Sequence, residues 1–159
     1  DLRFDNVGNQ RSDFVLNKEP WKNATILIVG DNFGCGSSRE HAVWGMRQLK
    51  IEACIGTSFA GIFYDNARKN GLALPIVSEE VRDSLLQFSS NTNGAEISIE
   101  LSRRIIIAGD LSANFEMDDA TLTSLIRGRD DTLHSLEYTD QISAFEAGLD
   151  DKMRVRVIK

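Results

Sequence analysis

Eight consecutive residues, Gly34-Cys35-Gly36-Ser37-Ser38-Arg39-Glu40-His41, bring together two glycines, a thiol, two hydroxyls, a guanidinium, a carboxylate and an imidazole. Glycines let the backbone turn sharply and carry its N–H groups close to a ligand. A helix starting here would add free N–H donors and the positive end of its dipole, which together make an anion site. Arg39 is the informative residue, because a cation at a helix start opposes the dipole. A bound anion removes that conflict, and the planar Arg fork suits a carboxylate held by two parallel hydrogen bonds. The chemistry favoured is the capture of a small carboxylate.

An architectural reading of the same residues stands beside this one. Ser37-x-x-Glu40 fits a capping box, with Ser37 as N-cap and Glu40 reaching back to its N–H. Glycines are common in strand-to-helix turns, so each residue alone is more often structural than functional. It is their coincidence in one short stretch that points to a ligand. Other anion motifs fail here. A P-loop needs a lysine before its Ser/Thr, and none is present. The dinucleotide pattern lacks its third glycine, where Arg39 stands, and Thr57 and Ser58 occupy the end of the next strand without an acidic residue. A nucleophile elbow is absent. His41 follows Ser37 on one element, the wrong placement for a base that reaches over a serine from another loop.

The elements that must position this segment follow from hydropathy. Residues 1–23 read as a polar surface lead-in pinned by Phe14-Val15-Leu16. Ala24 to Gly30 is an apolar run closing on glycine, which predicts a strand buried on both faces. A helix is expected from about Ser38 to Leu49, then a strand Ala53 to Gly56 and an amphipathic helix Phe59 to Lys69 capped by Asn70-Gly71. Leu72 to Val77 reads as a third strand, its proline marking an edge or strand end. Ser78-Glu79-Glu80 opens a helix running to about Phe88. This β-α alternation favours a mainly parallel sheet with flanking helices.

The second half differs. Asn93-Gly94 is a turn before Glu96 to Leu101 and Arg104 to Ala108, which read as antiparallel strands, with Phe115-Glu116-Met117 as a third. A short helix is expected over Asp118 to Gly128 and another over about Thr139 to Gly148, after the stretch Asp130 to His134. The basic tail from Lys152 reads as surface. One α/β domain over 1–159 is the economical organisation.

Composition narrows the function classes. The chain has 159 residues, 42% hydrophobic and 26% charged, with net charge −6. Without clustered Lys and Arg a nucleic-acid partner is disfavoured. The longest apolar runs are strand-sized, so no membrane span is expected. Two cysteines, Cys35 and Cys54, and two histidines, His41 and His134, do not suffice for a disulfide framework or a metal centre of the chain's own. Two reduced thiols in the cytoplasm is the expected state. The chain opens at Asp1 rather than Met, which points to an upstream segment outside this sequence.

Gly36-Ser37-Ser38-Arg39-Glu40-His41-Ala42 resembles the signature of the swivelling domain of the aconitase superfamily, and the wider stretch from Gly30 to Trp44 resembles the small subunits of 3-isopropylmalate dehydratase. The match continues through Asp13 to Asn17, Ser58 to Asn66, Lys69 to Leu72, and the helix from Tyr138 to Glu146, and so covers nearly the whole chain.

The resemblance implies an aconitase-like swivelling β/β/α domain. It also implies a hydro-lyase subunit that exchanges 2-isopropylmalate and 3-isopropylmalate by dehydration and rehydration in leucine biosynthesis. A large partner subunit would carry a [4Fe–4S] cluster whose open iron acts as Lewis acid on the leaving hydroxyl, while this chain binds no cofactor or metal itself. By the same resemblance Ser37 is the base that removes the proton alpha to a carboxylate, and Gly36, Ser38 and Arg39 hold substrate. Glu40 and His41 are weighed as structural and Cys35 as a loop residue. The family's leading Asp-Thr-Asp-Gln-type stretch is missing here, along with much of the loop that recognises the substrate's side group. Relatives acting on homocitrate-type or citramalate-type acids, and a non-catalytic carboxylate-binding module, are the competing readings.

Overall fold

In the computed structural model, residues 3–36, 39–92, 95–128 and 135–149 are described. Ser37, Ser38, the Asn93-Gly94 turn, the stretch Asp130 to His134 and the tail from Lys152 lie outside them. The chain divides into two units, Asp1–Gly128 and Arg129–Lys159.

The centre of the first unit is a parallel pair, β1 (Ile26–Ile28) and β2 (Ala53–Ile55), in the register Ile26 to Ala53 and Ile28 to Ile55. All three β2 residues are buried. They alternate between two cores, as the two-residue period of a strand requires. Ala53 and Ile55 join Leu85, Ile106, Ala108, Phe115 and Met117 on one face. Cys54 joins Val43, Ile51, Phe63, Ala67 and Leu74 on the other. β1 is half-buried, not buried on both faces as its apolar run predicts. It pairs with β2, and its residues also line a groove of about 700 Å3 bounded by Trp21, Leu86 and Ile97.

Helices α1 (His41–Gln48) and α2 (Gly61–Lys69) supply the second core through Val43, Phe63 and Ala67. Fully burying a side chain such as Phe63 is worth about 1.5–3 kcal/mol. α3 (Glu79–Asn91) starts at Ser78, whose hydroxyl accepts from the Val81 N–H, with Glu79 and Glu80 at the positive end of its dipole. It sends Leu85 into the first core.

The segment 72–77 departs from expectation. Pro75 does not mark an edge, for the segment lies between β2 and Glu116. Ala73 and Val77 donate to the carbonyls of Glu52 and Gly56, while Ile76 and Glu116 exchange backbone hydrogen bonds on the other side. Pro75 is fully buried and has no N–H to donate, so the pairing with β2 consists of isolated bridges at Ala73 and Ile76 instead of a ladder.

The antiparallel sheet comprises β3 (Ser98–Glu100), β4 (Ile105–Ala108) and β5 (Leu111–Asn114) in sequential order. The third strand thus begins earlier than Phe115, and Phe115 and Glu116 continue it toward Ile76. Asp118 caps α4 (Asp119–Arg127) by accepting from the Thr121 N–H at 2.8 Å. The second unit contains a 3-10 turn, Leu136–Tyr138, leading into α5 (Thr139–Ala147). The mixed α/β architecture, with parallel and antiparallel parts, is the expected class.

Candidate functional site

β1 ends at Ile28; Val29 follows it, its N–H donating to the Ile55 carbonyl at 2.8 Å, and the loop 30–36 leaves from this carboxyl end. That is where ligands bind in open α/β sheets. The loop is held by the corresponding end of β2. The Thr57 hydroxyl donates to the Asp31 carboxylate. Asn32, at φ +50°, donates its N–H to the Ser58 hydroxyl at 2.8 Å. Phe33 donates to the Ser58 carbonyl at 3.2 Å and accepts from the Ala60 N–H at 2.9 Å. Arg82 on α3 adds an ion pair to Asp31 at 3.2 Å.

Below the loop, Phe33 meets Phe63 edge-on with centroids 5.5 Å apart. Gly34 lies directly on Phe63 at φ +88°. Only glycine fits there, on both conformational and steric grounds. Gly36 is different. A Cβ at residue 36 would meet nothing within 4 Å, and its φ lies outside the left-handed range. Nothing in the described structure requires glycine at position 36.

Arg39 is exposed and sits just ahead of α1, whose N-cap position is taken by Glu40. The helix therefore starts at His41, later than the expected Ser38. The capping box rests on Ser37, which lies outside the described residues; the N-cap position of α1 falls at Glu40, whose carboxylate accepts from the Asn70 side-chain amide at 2.7 Å. His41 packs its ring at 4.6 Å from Trp44. Arg39 thus stands just ahead of the positive end of α1, and Gly36 is the last described residue of the loop before it. Cys35 is exposed on the loop, and Cys54 is buried with its thiol pushed up to about 12 by desolvation.

Four residues that anchor this site were not singled out by chemistry in the sequence: Thr57, Ser58, Asn70 and Arg82. Ser58 and Asn70 lie inside stretches that carry the resemblance, which is the signal that could have found them. None of the described residues 30–36 lines the groove beside β1. Among the described residues no group of three or more His, Cys, Asp or Glu side chains is arranged to hold a metal.

Comparison with known proteins gives a consistent picture. Residues 3–80 match the model for the aconitase C-terminal domain. The chain is 42% identical over 146 residues to 3-isopropylmalate dehydratase small subunit 1 of Mannheimia succiniciproducens, covering 92% of this chain and 72% of that protein. It is 44% identical over 149 residues to the 3-isopropylmalate dehydratase small subunit of Brucella anthropi, covering 92% and 74%. A crystal structure of 3-isopropylmalate dehydratase from Methanocaldococcus jannaschii superposes with a TM-score of 0.56 at 27% identity, over 76% of this chain and 67% of that one.

Proposed function

The chain belongs to the family of 3-isopropylmalate dehydratase small subunits, and we propose that it supplies the substrate-holding, proton-removing half of an active site that a large subunit completes. The reaction is the interconversion of 2-isopropylmalate and 3-isopropylmalate by loss and return of water. Two described residues support this reading: Gly36 ends a loop at the carboxyl end of β1, and Arg39 precedes the positive end of α1, in a chain more than 40% identical to the small subunits of Mannheimia succiniciproducens and Brucella anthropi. Those names favour isopropylmalate over homocitrate-type or citramalate-type acids.

In this reading Arg39 takes a substrate carboxylate through its guanidinium fork, with the Gly36 backbone and the Ser38 hydroxyl completing the cradle. Ser37 removes the proton alpha to the carboxylate. A serine oxygen is a weak base in water. The positive end of α1 and the Arg39 charge both favour its deprotonated form. Anchoring the loop through Asp31, Asn32 and Phe33 keeps these groups from having to be ordered anew at each turnover.

The [4Fe–4S] cluster implied by the family does not fit this chain. Such clusters are held by cysteine thiolates, usually four. The chain has two cysteines, one exposed on the loop and one buried with a raised pKa. We place the cluster on the large partner subunit, together with activation of the leaving hydroxyl. No described helix is long and apolar enough to cross a membrane. The two unpaired thiols suit a reducing compartment, and we assign the complex to the cytoplasm.

The test is turnover of 2-isopropylmalate by the complex with the large subunit, carrying either the native chain or Ser37→Ala. General-base removal costs roughly 10²–10⁴-fold in rate, and a loss of that order in kcat is expected. Retained turnover would overturn the role of Ser37. An inactive native complex would overturn the substrate, and a native complex that binds the acid without turnover would favour the non-catalytic module.

A further inference from the structure

Asn70 closes α2 and stands thirty positions from Glu40, yet two of its three side-chain hydrogen bonds go to the start of α1. Its amide nitrogen donates to Glu40 Oε1 at 2.7 Å and to the Asn66 carbonyl at 2.8 Å. Its amide oxygen accepts from the indole N–H of Trp44 at 3.1 Å. A single amide offers two donor hydrogens and one carbonyl oxygen, and all three find partners here. Glu40 also sets the amide's orientation. With oxygen and nitrogen exchanged, the oxygen would face a carboxylate and the NH2 would face the Trp44 N–H.

Termination of α2 does not explain this arrangement. The helix already ends on backbone bonds, from the Asn70 N–H to the Asn66 and Ala67 carbonyls and from Leu72 to Ala67, with Gly71 at φ +67° turning the chain away. The Asn70 side chain reaches instead to the residue that begins α1 and to the helix's first turn. Glu40 lacks a side-chain cap bond of its own, so Asn70 is the described partner of its carboxylate. Arg39 is the next residue toward the loop, and a shift of the start of α1 carries Arg39 with it.

We propose that Asn70 is a positioning residue of the site. Acting through Glu40 and Trp44, it locks the start of α1 against α2 and so sets where Arg39, the last residue of the Gly36 to Arg39 segment, stands. The proposal rests on the reading of that segment as the substrate site. A misplacement of about 1 Å at a distance from the chemistry can cost on the order of 10²-fold.

The experiment measures kcat and KM for 2-isopropylmalate in the complex with the large subunit. The chains compared are the native one, Asn70→Ala, Glu40→Ala, Glu40→Gln and the double variant Asn70→Ala/Glu40→Ala. Asn70→Ala and Glu40→Ala are each expected to lower kcat/KM by roughly 10- to 100-fold. Glu40→Gln keeps an acceptor for the Asn70 amide and is expected to stay within a few-fold of native. The double variant should be no worse than Glu40→Ala, because both changes break one link. Glu40→Ala leaves α2 untouched, so it decides the matter even where Asn70→Ala folds poorly. Native kcat/KM in either single variant, equal damage from Glu40→Gln and Glu40→Ala, or additive losses in the double variant would each overturn the proposal. An inactive native complex would instead overturn the substrate reading and remove the basis for this one, whereas an active native complex with active variants overturns this inference alone.

Discussion

Gly34 lies against Phe63 so closely that a Cβ at residue 34 would stand 2.3 Å from Cγ of the ring. Phe63 is 2% exposed and packed among the residues of the second core. Gly34 also holds φ +88°, a conformation that side chains with a Cβ disfavour. Gly34→Ala therefore meets overpacking and backbone strain together, worth roughly 2–4 kcal/mol. Urea denaturation should show that loss, and activity should fall at temperatures where the variant is still folded, since the loop leading to Ser37 is displaced. A variant as stable as the native chain would mean that Phe63 can move. Gly36→Ala, with nothing within 4 Å, should leave stability unchanged and serves as the control for the denaturation measurement alone, since Gly36 stands in the proposed substrate cradle.

Tyr64 on α2 and Asp118 at the start of α4 make a second tie, with the phenol donating to the carboxylate at 2.9 Å. Burial pushes Asp118 up, but hydrogen bonds from Thr121 and Tyr64 outweigh it and hold the carboxyl below its ordinary value of 3.8. Burial and the neighbouring carboxylate raise the Tyr64 phenol above its ordinary 10.0. The signs follow by linkage. Asp118 contributes stability that is present above the ordinary carboxylate pKa and lost as pH falls through the lowered one. Tyr64 contributes stability that is present below the ordinary phenol pKa and lost as pH rises through the raised one. Thermal melts across pH should show a plateau between these limits. Asp118→Asn should flatten part of the acid limb, and Tyr64→Phe part of the alkaline limb. Unchanged limbs in both variants would show that the pair does not couple folding to pH.

The two thiols should separate cleanly by reactivity. The thiolate is the reactive form. Cys54 is buried at 0% exposure with its pKa pushed up to about 12, while Cys35 is exposed. A thiol reagent at neutral pH is expected to label one cysteine in the folded chain and two in denaturant. Cys35→Ser should abolish labelling of the folded chain. Fast labelling of two cysteines without denaturant would contradict the packing around β2.

The candidate site was legible to the extent that it is local. The glycine turn, the helix after it and the misfit of Arg39 with the dipole all lie within a dozen residues, where short-range sterics and the helix dipole govern. The same holds for Asn70-Gly71 ending α2 and for Ser78 capping α3. One local rule misled in part. The proline rule put the segment 72–77 at an edge or a strand end, but the segment is interior, with the missing N–H between two bridges. A local rule also says nothing of the amide from α2 that binds the Glu40 carboxylate.

By itself the sequence determined the order of strands and helices, the position of the Gly36 to Arg39 segment at a strand-to-helix junction, and the family. Hydrophobic period, glycine placement and a long matched motif are properties of neighbours along the chain. Tertiary structure decided which residues hold that segment: Thr57 and Ser58 on Asp31 and Asn32, Arg82 on Asp31, Asn70 on Glu40. These partners stand 26 to 51 positions apart in the chain. A hydrogen bond needs donor and acceptor within about 3 Å, and no periodicity in the sequence encodes that distance. Only the packing of α1, α2 and α3 around the β1 and β2 strands brings those side chains within it.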